Sequence, residues 1–329
     1  MFLPEVFLHF PTVVIKVHTI KMNNGSLTPE FLLLGLTDDP DLKIILFVLF
    51  LVMYILTLIG NSILITAWIR DPCLQTPMYF FLGNLSFLDI CFSSAIVPYM
   101  LAQLLVRRTI SFNMCAAQMY LCLFLGGTEC VLLGVMAYDR YVAIIYPLRY
   151  TVIMSMSVCI TLASCCWLSG SVMSLLDTFY TLQLPLCGSK IINHFFCEVP
   201  SLLKMACADV FATEMVIFSA AIFILLIPSV FTAISYTQII ITIVRIRSSE
   251  ARLKAFSTCA SHLIVVTIFY STAISMYMRP TSKTFENQDK MLSVFYTVTP
   301  PMMNPMIYSL RNKNVKMAVQ KLIRRQLFQ

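Results

Sequence analysis

The chain has 329 residues, of which 59% are hydrophobic and 12% charged, with a formal net charge of +7. A soluble domain carries charge on about a quarter of its residues, so the composition excludes one and points to lipid as the main solvent. The basic surplus is read against membrane lipid, with no nucleic-acid partner.

Residues 1–43 read as a tail outside the membrane. The first 21, MFLPEVFLHFPTVVIKVHTIK, are apolar in character, but Glu5, Pro11 and Lys16 interrupt them. No small-residue cleavage site follows, so the expectation is that translation starts at Met22 or that this extension is dispensable. Asn24-Gly25-Ser26 is a glycosylation sequon just before the first apolar stretch. Seven stretches then have the length and apolarity of membrane-spanning helices: 44–69, 77–100, 112–138, 151–176, 215–244, 255–278 and 291–310. Five hold no Asp, Glu, Lys or Arg; the second carries Asp89 and the third Glu129. The fold class is therefore an all-α membrane protein, a seven-helix domain over 44–310. The remainder, 311–329, has Val315, Val319 and Leu322 on one face and lysines elsewhere. That pattern predicts a short amphipathic helix on the cytoplasmic membrane surface.

An odd number of spans puts the termini on opposite sides. With the N-terminus outside, the inner segments hold 13 Lys and Arg and the outer ones 10, a small bias in the expected direction. Cys115, Cys187, Cys197 and Cys207 fall on that outer face, where disulfides persist. Four cysteines allow three connectivities, and spacing does not choose among them.

Ionisable groups inside a bundle cost a few kcal/mol each unless paired or hydrated, which makes them functional candidates. Asp89 sits near the midplane of its span. Glu129 lies about 16 Å outward of Arg140 on the third helix, so the two carboxylates share a depth on neighbouring helices. Such a pair can hold a cation or share a proton; it can also simply tie helices by hydrogen bonds. Asp139 and Arg140 close the third span as an adjacent ion pair.

Several motifs appear in order: Gly60-Asn61, Asp89, Asp139-Arg140-Tyr141, Trp167, Pro228 with Tyr236, and NPMIY from Asn304 and Pro305 to Tyr308. Together they resemble a rhodopsin-like (class A) G-protein-coupled receptor. TPMYFFLGNLSFLD at 76–89, MAYDRYVAI at 136–144, KAFSTCASH at 254–262 and PPMMNPMIYSLRNK at 300–313 are similar to the odorant receptors. The resemblance runs from residue 23 to about 324. Gln75 and Ile145 depart from it, where the family usually has His and Cys. It implies an Arg140 latch that rests on Asp139 and is released toward Tyr236 and Tyr308 as the sixth helix swings. It also implies disulfides Cys115–Cys197 and Cys187–Cys207, and a tail starting near Met22. The expected partners are a small volatile odorant and a heterotrimeric G protein of the stimulatory olfactory type, which raises cyclic AMP. The receptor would reside in the plasma membrane, need no cofactor and catalyse nothing. A class A receptor for another small ligand outside the nose is the alternative. A transporter is less consistent, because no internal repeat or Gly-interrupted half-helix is visible.

The ligand site follows from depth and helical spacing. A pocket for a volatile is apolar with a few polar anchors. Counting inward from Cys115, the third helix offers Cys122, Leu123, Gly126 and Gly127. The fifth offers Ile217, Ala220, Ala221 and Ile224; the sixth Tyr270, Ala273, Ile274 and Tyr277; the seventh Thr297. Amine receptors carry an Asp where Cys122 stands, so the expected ligand is neutral. Tyr277 is its foremost hydrogen-bonding anchor.

Overall fold

In a computed structural model, residues 30–106, 109–187, 190–278, 286–311 and 315–321 are described. The 1–21 extension, the start at Met22 and the Asn24 sequon, all expected from the sequence, lie outside the described residues. Among the described residues, seven long helices form one bundle: α1 Pro40–Arg70, α2 Pro77–Leu105, α3 Phe112–Ile145, α4 Met156–Leu182, α5 Phe211–Val244, α6 Ser249–Tyr277 and α7 Glu286–Arg311. Six of them, α1 to α6, are long and apolar enough to cross a membrane. The last is diluted by Pro300, Pro301, Pro305 and Asn304, and packs against α1, α2 and α6.

Helix boundaries reach past the apolar stretches because caps and prolines, not hydropathy, set them. Asp39 accepts from the Asp41 and Leu42 amides and Pro40 occupies the first turn of α1. Pro72 and Pro147 follow the ends of α1 and α3, where the residue before proline is driven out of the helical region. The predicted fourth span is offset. Tyr150–Ile153 is a separate helical turn, and α4 begins at Met156 and runs six residues beyond 176.

Two proline sites shape the core. In α5, a π-helical turn at Ile222–Leu226 precedes Pro228, the kind of irregularity that bends a helix near functional positions. In α7, Pro305 has no N–H for the Pro301 carbonyl four residues back. Asn61 of α1 donates to that carbonyl instead, at 3.0 Å. The buried Asn61 is thereby a clasp between the first and last helices.

One end of the bundle carries a small sheet that sequence reading did not foresee. β1 Glu30–Leu33 pairs antiparallel with β2 Thr109–Ser111 and parallel with β3 Ile191–Ile192. Phe31, Leu33, Ile110 and Ile192 turn inward and pack on Cys115, Met119 and Cys197. Strands of two to four residues are too short for alternation to announce them. At the far end, residues 315–321 are helical, with Val315 and Ala318 buried in the main core. Leu322 lies outside the described residues.

Candidate functional site: a cavity under the sheet-end loop and a polar track to the far end

A cavity of about 630 Å³ lies between α3, α4, α5, α6 and α7, roofed by the loop before α5. Cys122, Leu123, Gly126 and Gly127 line it from α3, and Ile217, Ala220, Ala221 and Ile224 from α5. Ala273 and Tyr277 line it from α6. Ten of the thirteen residues selected from the sequence are thus brought to one space.

Three are not. The Tyr270 hydroxyl donates to the Cys130 carbonyl at 2.7 Å, so it ties α6 to α3 instead of facing a ligand. Thr297 is buried and donates to the Ser293 carbonyl of its own helix at 2.6 Å. Ile274 packs against the main core, beside the cavity rather than on its wall. In each case a hydrogen bond or a core contact within the bundle holds the side chain.

The wall also has residues that sequence reading passed over: Ser174 and Asp177 of α4, Ser293 and Tyr296 of α7, and His194, Glu198 and Lys204 of the loop. Asp177 lay one residue past the predicted span. It was legible only as a loop acid until α4 proved to continue to Leu182. Gly126 has a second role, since a Cβ there would lie 2.6 Å from the Tyr296 hydroxyl oxygen. Its missing side chain admits that hydroxyl to the floor of the cavity.

The roof is held covalently and by hydrogen bonds. Cys115 of α3 is bonded to Cys197, and Cys187 to Cys207, with Cα–Cα distances of 5.3 and 5.7 Å. Gln118 of α3 accepts from the Cys197 amide at 3.1 Å. Lys290 of α7 donates to the Gly35 carbonyl and to Asn193 Oδ1, at 3.1 and 2.7 Å, joining the tail, the loop and α7. His194 is buried between Phe195 and Phe196. Burial, then the Lys290 and Lys204 charges, push its pKa down to about 3. The Glu198 carboxylate 3.6 Å from Nε2 does not offset them. The Phe196 amide donates to Nδ1 at 3.4 Å, so the neutral ring carries its proton on Nε2.

Below the cavity, Asp89 is fully buried and accepts from Asn304 Nδ2 at 3.2 and 3.1 Å. Glu129 is buried beside it, and the two carboxylates act on each other electrostatically. Glu129 Oε1, Asn304 Oδ1 and Asn61 Oδ1 are buried acceptors without a donor. Glu129 Oε1 and Asn304 Oδ1 leave acceptor capacity beside the two carboxylates, the chemistry that a proton or a small cation would satisfy.

At the far end the expected Asp139–Arg140 ion pair is not formed. Asp139 accepts from the Tyr150 hydroxyl at 2.7 Å instead, and Arg140 Nε is buried without an acceptor. Adjacent residues on a helix point about 100° apart, so a sequence neighbour is a poor partner. Burial and the Asp139 carboxylate raise the Tyr150 pKa, which keeps its proton on the phenol. Arg140 still acts electrostatically on Asp139, without a contact within 4.0 Å, and also on Tyr236, His262 and Tyr308 of the α5–α6–α7 side. Tyr236 Oη lies 2.7 Å from His262 Nδ1, while the buried Tyr308 hydroxyl has no hydrogen-bond partner. Tyr141 instead stacks on Tyr138 and meets Tyr146 edge-on.

The arrangement has counterparts among known proteins. Residues 50–326 match a family model described as "Olfactory receptor". The chain is 49% identical to human olfactory receptor 13C2, over 94% of this chain and 99% of that one. It is 52% identical to human olfactory receptor 2K2, over 91% and 95% of the two chains. Mouse olfactory receptor 5AR1 is 51% identical over 91% and 97%.

Proposed function

Since the chain belongs to the olfactory receptor family, and is thus a multi-pass plasma-membrane receptor and not an enzyme, we propose that its cavity receives a small volatile odorant from outside the cell. The observation that carries this is the cavity itself. Its volume of about 630 Å³ falls in the range of small-ligand sites, and its walls come from the helices that must move against one another. The sheet end is the extracellular one, with the tail through residue 43 outside and Asn24 available for glycosylation. Residues 311–329 are cytoplasmic, with the helix at 315–321 lying along the inner membrane surface.

Binding is read out at the other end. A ligand that draws α6 toward α3 shifts the packing of Tyr236 and His262 around Arg140. Such a change can expose the guanidinium to a stimulatory olfactory G protein, which raises cyclic AMP. The Asp139–Tyr150 hydrogen bond, in place of the ion pair expected from sequence, fixes the α3 end against the following loop. The Asp89, Glu129 and Asn304 pocket lies between the two ends and holds sodium or a shared proton that biases the two states.

The test is the full chain in cells, with surface level and cyclic AMP measured against a broad odorant panel. At least one volatile should raise cyclic AMP in a dose-dependent way. A receptor plainly at the surface that answers no panel member would overturn the reading.

A further inference from the structure

Asp177 is buried in the cavity wall with 8% of its surface exposed. Its Oδ1 is shielded from solvent and accepts no hydrogen bond, and among the described residues no cation lies within 4.0 Å of the carboxylate. Of the hydroxyls beside it on α4, Ser174 Oγ donates to the Ser171 carbonyl at 3.1 Å, and the buried Thr178 Oγ1 makes no hydrogen bond to the carboxylate. An unpaired buried carboxylate costs several kcal/mol. Among the described residues no ion pair or hydrogen bond to Oδ1 offsets that cost, and the group lines the cavity.

The surrounding charges have the same sign. Glu198 and Glu214 also line the cavity, against Lys204 as the only Lys or Arg on its wall among the described residues. His194 is neutral, since burial holds its pKa near 3. Three carboxylates and one ammonium around a low-dielectric cleft concentrate cations there. Tyr277 is close enough for Asp177 to act on it electrostatically. Its ring can face a cation and its hydroxyl can accept from one. Gly126, Ala220 and Ile224 on other parts of the wall leave apolar space for an alkyl chain.

We propose, resting on the odorant reading above, that the cavity selects small alkylamines, with Asp177 as the counter-ion of the ligand's ammonium. The expectation of a neutral ligand came from Cys122 on α3. The acid is supplied from α4 instead, across the same cavity.

The test compares n-alkylamines with n-alcohols of equal chain length in cells expressing the full chain, reading cyclic AMP at measured surface level. A charged hydrogen bond is worth roughly 1.5–3 kcal/mol, so amines should act at about ten- to hundredfold lower concentration than the matched alcohols. Asp177→Asn should remove that advantage, lowering the amine-to-alcohol potency ratio by about ten- to hundredfold. Its surface level should equal or exceed the parent's, because a buried orphan charge is gone. Alcohols matching or beating amines would overturn the proposal while leaving the odorant reading intact; silence toward the whole panel would overturn both. An unchanged amine preference in Asp177→Asn would also overturn it. If Asp177→Asn fails to reach the surface, Asp177→Ser replaces it, and if both fail the parent's own ranking decides.

Discussion

Tyr277 and Gly126 show how much one side chain decides in this cavity. The Tyr277 phenol lines it from α6, and its loss to phenylalanine removes one neutral hydrogen bond, worth about 1 kcal/mol. Tyr277→Phe should therefore shift an agonist's half-maximal concentration by roughly tenfold or less. Gly126→Leu should do more. The new side chain would displace the Tyr296 hydroxyl, which lies 2.6 Å from where a Cβ would be, and would fill the floor. Dose–response curves for a confirmed agonist, at equal surface expression, check both. Parental curves from the two variants would place the ligand elsewhere. The same scale explains Tyr270 and Thr297. Both are polar and at the right depth, but a hydroxyl already donating to a carbonyl has no proton left for a ligand.

At the scale of elements, the roof loop carries a pH-sensitive group. His194 is 3% exposed and neutral, with its pKa near 3 in the folded loop against about 6.5 unfolded. The unfolded loop binds the proton more readily between these values, so stability is complete above about pH 6.5 and is lost as pH falls toward 3. Between pH 7 and pH 5 the loss is roughly 2 kcal/mol. Thermal unfolding of purified receptor should show a lower Tm at pH 5 than at pH 7. His194→Phe, which fits among Phe195 and Phe196, should reduce that difference; an equal fall in the variant would assign it to other groups. Of the two bridges, Cys115–Cys197 ties this loop to α3, whereas Cys187–Cys207 closes the loop on itself. The elements below are stiffened differently. In α7 the carbonyl freed by Pro305 is taken by Asn61, so a helix with three internal prolines stays fixed to α1.

For the whole molecule, a cavity at one end must be read out at the other. On the proposed reading that group is Arg140, buried at 8% exposure and acting electrostatically on Asp139, Tyr236 and Tyr308. Arg140→Ala should abolish the cyclic AMP response while the receptor is still detected at the surface by an antibody to an N-terminal tag. A full response from that variant would remove Arg140 from the signalling path, whatever its burial.

Sequence alone determined the class of the molecule. Runs of about twenty apolar residues admit few structures in lipid, and motifs such as Asp139-Arg140-Tyr141 and Asn304 to Tyr308 are contiguous, so both the helical bundle and the family were legible. Ten cavity residues were legible too, because helical spacing fixes which side chains share a face. Tertiary structure alone decided what those faces meet. It turned Tyr270 and Thr297 away from the cavity, extended α4 so that Asp177 became a wall residue, and gave Asp139 to Tyr150 in place of Arg140. It also paired residues 30–33 with two strands from distant loops. Each of these depends on contacts between residues far apart in the chain, where a rotation of a few tens of degrees or a shift of one turn changes the partner. Local propensity carries no information about such rotations, because only packing against a neighbouring helix selects one.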